Sequence, residues 1–257
     1  RLAADANIME AQYQLAKIIS EKGASKADID DAIILFDKAA RQGDSRSQLV
    51  LGIYYDEGSV IPEDKQRAED YLIMAARQGV EAAQFRLAQI YNSGAIEGKT
   101  AANSLPFYQA AANQGHVGAH YFLARLYDTG KGTAQDHALA VRYYQLPAKK
   151  LYLDANWRLG VLARDGLGMA PNVKEMERLF LIASRQGDVR AQRALGKAYR
   201  NGKALEQNYK KAISFLKLAI KQQDRDAQFI LGQMRMRGEG GDVNLEDAVL
   251  NFREAAN

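Results

Sequence analysis

The sequence predicts an all-α fold, a solenoid of about seven 36-residue helix-turn-helix repeats, and three columns of residues carry that reading. A polar residue returns every 36 positions as Gln12, Gln48, Gln84, His120, Asn156, Gln192 and Gln228. Three residues later stand Leu15, Leu51, Leu87, Leu123, Leu159, Leu195 and Leu231. The next position is always small: Ala16, Gly52, Ala88, Ala124, Gly160, Gly196 and Gly232. This register makes the chain a single repeat array over 1–257, with repeats at 8–43, 44–79, 80–115, 116–151, 152–187, 188–223 and 224–257.

Residues 44–79 show how one unit is built. Ser47, Leu51, Tyr54 and Tyr55 recur at helical spacing and form the apolar stripe of a first helix, helix A. Gly58 follows and returns as Gly94, Gly130, Gly166, Gly202 and Gly238, where a helix end wants positive φ. Pro62 and Asp64 then give a breaker and a cap signal. Ala68, Tyr71, Leu72, Ala75 and Ala76 form the stripe of helix B, which ends at Gly79. Gly52 and the Ala75–Ala76 pair let two helix backbones approach closely. One hairpin cannot bury its apolar face alone, whereas stacked neighbours make a continuous core. Asp44, Asp188 and Asp224 each follow an inter-repeat turn, where an acid opposes the positive helix end. Asp28, Asp30 and Asp31 are read the same way, as the opening of a helix.

Composition narrows the function classes. The chain has no Cys, hence no disulfide framework, thiolate metal site or thiol nucleophile. No stretch reaches the roughly 18 consecutive apolar residues of a membrane span. Residues 1–128 carry 13 Lys and Arg against 17 Asp and Glu, net −4; residues 129–257 carry 22 against 14, net +8. A positive half-array attracts anionic partners. The excess is too small, beside an acidic half, to argue for nucleic acid. The chain starts at Arg1 without an apolar signal region, so any targeting segment is expected outside it. Leu2, Ala3 and Ala4 read as the tail of a preceding helix B, and the last repeat stops at Asn257, so a longer array is expected.

Three units depart from the pattern. In AVRYYQLPAKK, Pro147 takes the place of Ala75 and is expected to kink or end helix B early. Leu151 replaces the terminal Gly there, and a change of direction is expected near 146–153. The Gly94–Ala102 loop and Pro106 suggest a helix B that starts late, capped by Ser104. The first unit has Lys22 at the glycine position, with Gly23 after it.

The strings AQYQLAKI, SQLVLGIYYDEGSVIPED, AQFRLAQIYNSG and AQRALGKAYRNGKA, with helix-B strings AEDYLIMAARQG and AISFLKLAIKQQ, resemble the Sel-one-like repeat family. That family is a branch of the tetratricopeptide-like repeats. The resemblance implies a right-handed superhelical solenoid of antiparallel hairpins with helix A on the inner, concave face. It also implies a protein-interaction scaffold. Many such adaptors work in bacterial envelopes, so a periplasmic or outer-membrane-associated location is expected, with the cytoplasm as the alternative that a Cys-free chain suits equally.

The residues give no foothold for catalysis. His116 and His120 are four apart on one helix, but His120 stands in the Gln/Asn column, which favours a hydrogen-bonding role over a metal site. Glycines fall at the repeat period and make neither a phosphate loop nor a dinucleotide fingerprint. No enzyme, cofactor or metal is expected. For binding, the resemblance marks one inner-face column of helix A: Tyr13, Leu49, Phe85, Tyr121, Trp157, Arg193 and Phe229. These aromatics could be core or groove, and Arg193 favours partial exposure. Basic residues adjoin the column. The candidate ligand-binding set is Phe85, Tyr121, Arg125, Trp157, Arg164, Arg190, Arg193, Lys197, Arg200 and Arg237. Aromatic rungs flanked by cations suit a protein or peptide partner, acidic in character, or else an anionic polysaccharide of the alginate type.

Overall fold

The computed structural model describes residues 8–21 and 25–256. Among them are fourteen α-helices and no strand. In chain order they are α1 (Met9–Ser20), α2 (Lys26–Arg41), α3 (Ser45–Glu57), α4 (Lys65–Arg77), α5 (Glu81–Ser93), α6 (Ala101–Asn113), α7 (Val117–Thr129), α8 (His137–Lys149), α9 (Leu153–Asp165), α10 (Val173–Arg185), α11 (Val189–Asn201), α12 (Tyr209–Ile220), α13 (Arg225–Arg237) and α14 (Leu245–Ala256). Odd-numbered helices are the A helices and even-numbered ones the B helices. The described residues fall into two compact units, one ending at Gln135 and one starting at Asp136. Within each unit an A helix packs on its own B helix, and each B helix packs on the next A helix.

Helix ends follow the sequence signals. Asp44, Asp188 and Asp224 cap α3, α11 and α13, accepting from the amides of Ser47, Ala191 and Ala227. Each supplies one of the acceptors that the first helical turn lacks. Asp64 does the same for α4. Ser25 and Asp28 form a reciprocal capping box at the start of α2. Gly58 and its equivalents close the A helices in the left-handed region, Gly58 at φ +63°.

The small-residue column holds the hairpins together. A Cβ on Gly52 would stand 2.6 Å from Leu72, and one on Gly160 would stand 2.5 Å from the Phe180 ring. Both glycines let the partner helix come closer than a side chain allows. In four repeats the Gln column, as Gln48, Gln84, Asn156 and Gln192, ties the repeat to the one before. Gln48 Nε2 donates to Ala40 O at 2.9 Å, while its Oε1 accepts from Gln78 Nε2 at 2.7 Å. Gln78 Nε2 also reaches Gly43 O, 35 residues back. Gln192 and Gln222 repeat this arrangement in the second unit.

Two expectations are corrected. α8 does not end at Pro147 but runs on to Lys149, as long as α4. Pro147 lies in the last turn, so the lost amide donor costs one bond at the helix end and is not propagated. Its carbonyl still accepts from Tyr152 N at 2.9 Å, matching Val80 N to Ala75 O at 3.2 Å. Leu151 takes the glycine conformation itself, at φ +61°. That backbone costs a non-glycine residue on the order of 1 kcal/mol, which the surrounding bonds offset. Gln223 does the same at φ +63°. α6 also starts early rather than late. Thr100 and Asn103 form its capping box, Ser104 lies inside and donates to Ala101 O, and Pro106 is accommodated within the helix. The readings on Lys22, Gly23, Leu2–Ala4 and Asn257 lie outside the described residues.

Candidate binding site

In the second unit α9, α10 and α11 enclose a cavity of about 360 Å³. Its apolar wall is Trp157 from α9, Met176 and Phe180 from α10, and Ala194 and Ala198 from α11. Trp157 stacks on the buried Phe180, ring centroids 4.9 Å apart at 22°. Arg190 Cζ lies 5.2 Å from the Trp157 ring centroid, within cation–π reach. Its guanidinium also bonds Asp188 at 2.6 Å and Asp154 at 2.5 Å. These carboxylates, Asp188 first, hold the Arg190 proton more tightly than usual.

Five cationic side chains border the cavity: Arg164, Arg190, Arg193, Lys197 and Lys203; no carboxylate lines it. Three of them are ion-paired with carboxylates that do not line the cavity. Arg193 bonds Asp224 at 2.6 Å and Asp226 at 2.9 Å, which ties α11 to the cap of α13. Arg164 pairs with Asp165 at 2.7 Å, and this pairing holds the Asp165 carboxyl below its usual range. Lys197 and Lys203 have no ion-pair partner among the described residues. The result is a concavity with an apolar floor and a cationic rim on which Lys197 and Lys203 carry the charge left unpaired, which raises the local concentration of anions.

Five of the ten residues selected from the sequence therefore come together: Trp157, Arg164, Arg190, Arg193 and Lys197. Arg200 does not join them. It is largely buried in an ion pair with Glu239 at 2.6 Å and accepts no role at the cavity wall. Arg237, at the end of α13, points to Glu239 at 3.7 Å and is exposed. Phe85, Tyr121 and Arg125 belong to the first unit. Phe85 is stacked on His116 at 4.0 Å and packs near Tyr108 and Phe122, while Arg125 lies 5.8 Å from the Tyr121 ring centroid. The aromatic column is neither sealed core nor open groove. Tyr13, Phe85, Tyr121 and Trp157 are all half-buried, and Phe229 is exposed. His116 caps α7 through Nδ1, and His120 Nδ1 lies 3.1 Å from His116 O, the hydrogen-bonding role expected of that column.

Sequence reasoning missed Lys203, Ala194 and Ala198. The signal for the alanines was present in the repeat columns. Ala198 aligns with Ile18, Tyr54, Ile90, Leu126, Leu162 and Met234, and Ala194 with Gln14, Val50, Arg86, Phe122, Arg158 and Ile230. Only this repeat has small residues at both places, one helical turn apart, and the cavity opens there.

Among the described residues no group of three or more His, Cys, Asp or Glu is disposed to hold a metal ion, and no helix is long and apolar enough to cross a membrane. The model of the Sel1 repeat matches seven segments, residues 10–44, 45–80, 81–116, 117–150, 153–188, 189–224 and 225–257. Among solved structures the chain is similar to c5321, a protective antigen of uropathogenic Escherichia coli with an SLR fold, at 26% identity and TM-score 0.81. That match covers 99% of this chain and 55% of the antigen, so the chain spans about half the antigen's length. It is also similar to a Sel1 repeat protein from Oxalobacter formigenes, at 27% identity and TM-score 0.60, covering 100% of this chain and 84% of that one. Comparison with curated proteins gives no match.

Proposed function

The chain belongs to the Sel1 repeat family, and from that premise we propose that it is a non-catalytic protein-interaction scaffold that binds an acidic segment of a partner protein at the α9–α11 cavity. The observation that carries this reading is the cavity's lining: five cations around an apolar floor, with no carboxylate among them. An acidic segment supplies carboxylates for Lys197 and Lys203, which have no ion-pair partner among the described residues, and the half-buried Trp157 supplies contact area without a large ordering cost. Arg190 and Arg193 are already held by their acids, so little side-chain freedom is lost when a ligand arrives.

Calorimetric titration with a Glu-rich peptide tests it, against the same peptide with Gln for Glu. The charged peptide is expected to bind, more weakly as salt rises, and at least about tenfold more weakly to the Lys197→Ala/Lys203→Ala variant. Binding of an oligouronate in place of every acidic peptide would overturn the protein-segment reading in favour of an anionic polysaccharide.

A further inference from the structure

An acidic segment could rest on the rim by charge alone, yet the structure holds more than a rim. Ala194 and Ala198 leave a recess beside Phe180, and the stacked Trp157–Phe180 pair forms its wall. The first unit shows what ordinarily stands there. Four repeats earlier Phe36 is the equivalent of Phe180, and Tyr54, the equivalent of Ala198, packs edge-on against it at 6.4 Å. The recess at Phe180 is thus a place where the repeat normally supplies its own large side chain and here does not.

We propose that the cavity is an anchor pocket. It takes one large apolar side chain of the bound segment, aromatic or long aliphatic, in the position that Tyr54 fills in the first unit. Carboxylates flanking that anchor then meet Lys197 and Lys203, the two rim cations with no ion-pair partner among the described residues. This rests on the reading that the site takes an acidic protein segment. At about 360 Å³ the cavity lies at the small end of the roughly 300–1,000 Å³ of ligand pockets, room for one side chain and not for a helix face. Burying a large side chain against an aromatic wall, ringed by polar contacts that exclude water, is the usual form of an interface hot spot. The floor is apolar and the cations sit at the rim, so the recognised motif is acid, anchor, acid, and not a continuous acidic run.

The test uses three Glu-rich peptides of equal charge with Trp, Leu or Ala at the centre. They are titrated against the unmodified chain and against Ala198→Leu and Ala198→Tyr. Leu162 and Tyr54 occupy the same repeat position, so both variants have precedent within this fold. The unmodified chain is expected to prefer the Trp and Leu peptides over the Ala peptide by at least about tenfold. Both variants are expected to lose that preference and to bind the Trp, Leu and Ala peptides alike. Trp157 is the single Trp, so the Leu peptide is expected to shift its emission in the unmodified chain and not in Ala198→Tyr. Equal binding of all three peptides, or a preference that survives in both variants, overturns the anchor pocket and leaves the acidic-segment reading standing. Failure of every acidic peptide to bind overturns both.

Discussion

Tyr13, Phe36, Arg46 and Tyr54 in the first unit occupy the same repeat positions as Trp157, Phe180, Arg190 and Ala198 in the second. The frames share their ion pairs and cation–π contacts, while Tyr13 is tilted on Phe36 at 6.0 Å where Trp157 stacks on Phe180. Arg46 lies 4.1 Å from the Tyr13 ring centroid and bonds both Asp44 and Glu10, as Arg190 does with Trp157, Asp188 and Asp154. The contents differ. Where the first site has Leu49, Ile53 and Tyr54, the second has Arg193, Lys197 and Ala198. One scaffold thus makes a filled apolar junction in one place and an open cationic cavity in another, by changing side chains that the hairpin packing does not require. The cavity's cations and the small residues that open it stand on columns other than those that close the hairpin.

That separation can be broken or sharpened by experiment. The largest effect is expected from the shared frame. Phe36→Ala and Phe180→Ala each remove a ring buried to within 2% exposure and are expected to cost about 3–5 kcal/mol in denaturant unfolding. Next comes Gly160→Ala. Its Cβ meets the Phe180 ring, and overpacking of about 1–3 kcal/mol is expected, whereas Ala16 already fills the equivalent position in the first unit. If Gly160→Ala melts at the unmodified temperature, the close approach of α9 to α10 is not a packing requirement. Converting the second site's charges to the first site's residues, Arg193→Leu with Lys197→Ile, is expected to weaken acidic-peptide binding at least about tenfold, near 1.4 kcal/mol, with helical content unchanged by circular dichroism. A folded double variant that binds as before would show that charge and frame are not separable in this way. The smallest effect belongs to Arg46→Gln and Arg190→Gln. Each removes partly exposed ion pairs and a cation–π contact, for an expected loss of up to about 1 kcal/mol. A much larger loss at Arg190 alone would mean that the two frames are not equivalent.

The fold was largely legible because packing acts on a strict period. The Leu column, the small column and the capping aspartates each recur for a local physical reason, and a reader needs only one unit to interpret all of them. Pro106 and Pro147 misled for an equally physical reason. A missing amide donor is judged by position within the helix, and sequence alone does not say that Pro147 falls in the last turn or that Thr100 starts α6 early. The cations of the candidate site were visible as an excess of Arg and Lys, but their fates were not. Arg200 finds Glu239, which lies 39 residues on in a later turn, and is sealed by it. The cavity itself arises from what Ala194 and Ala198 lack, and a search for chemically rich residues passes over alanine.

The glutamine ladder bears on how the chain reaches this structure. Gln48, Gln78, Gln192 and Gln222 close loops of 30–35 residues and reach no further. Loop closure of that length is cheap and grows only slowly with length, and low contact order goes with fast folding. Folding can then start at any stable hairpin and extend one repeat at a time, each finished repeat presenting the carbonyls that the next glutamine needs. A repeat carrying an open cavity gains less from its own packing than a filled one. Growth that begins elsewhere and reaches α9–α11 late would complete the cavity on a template already built.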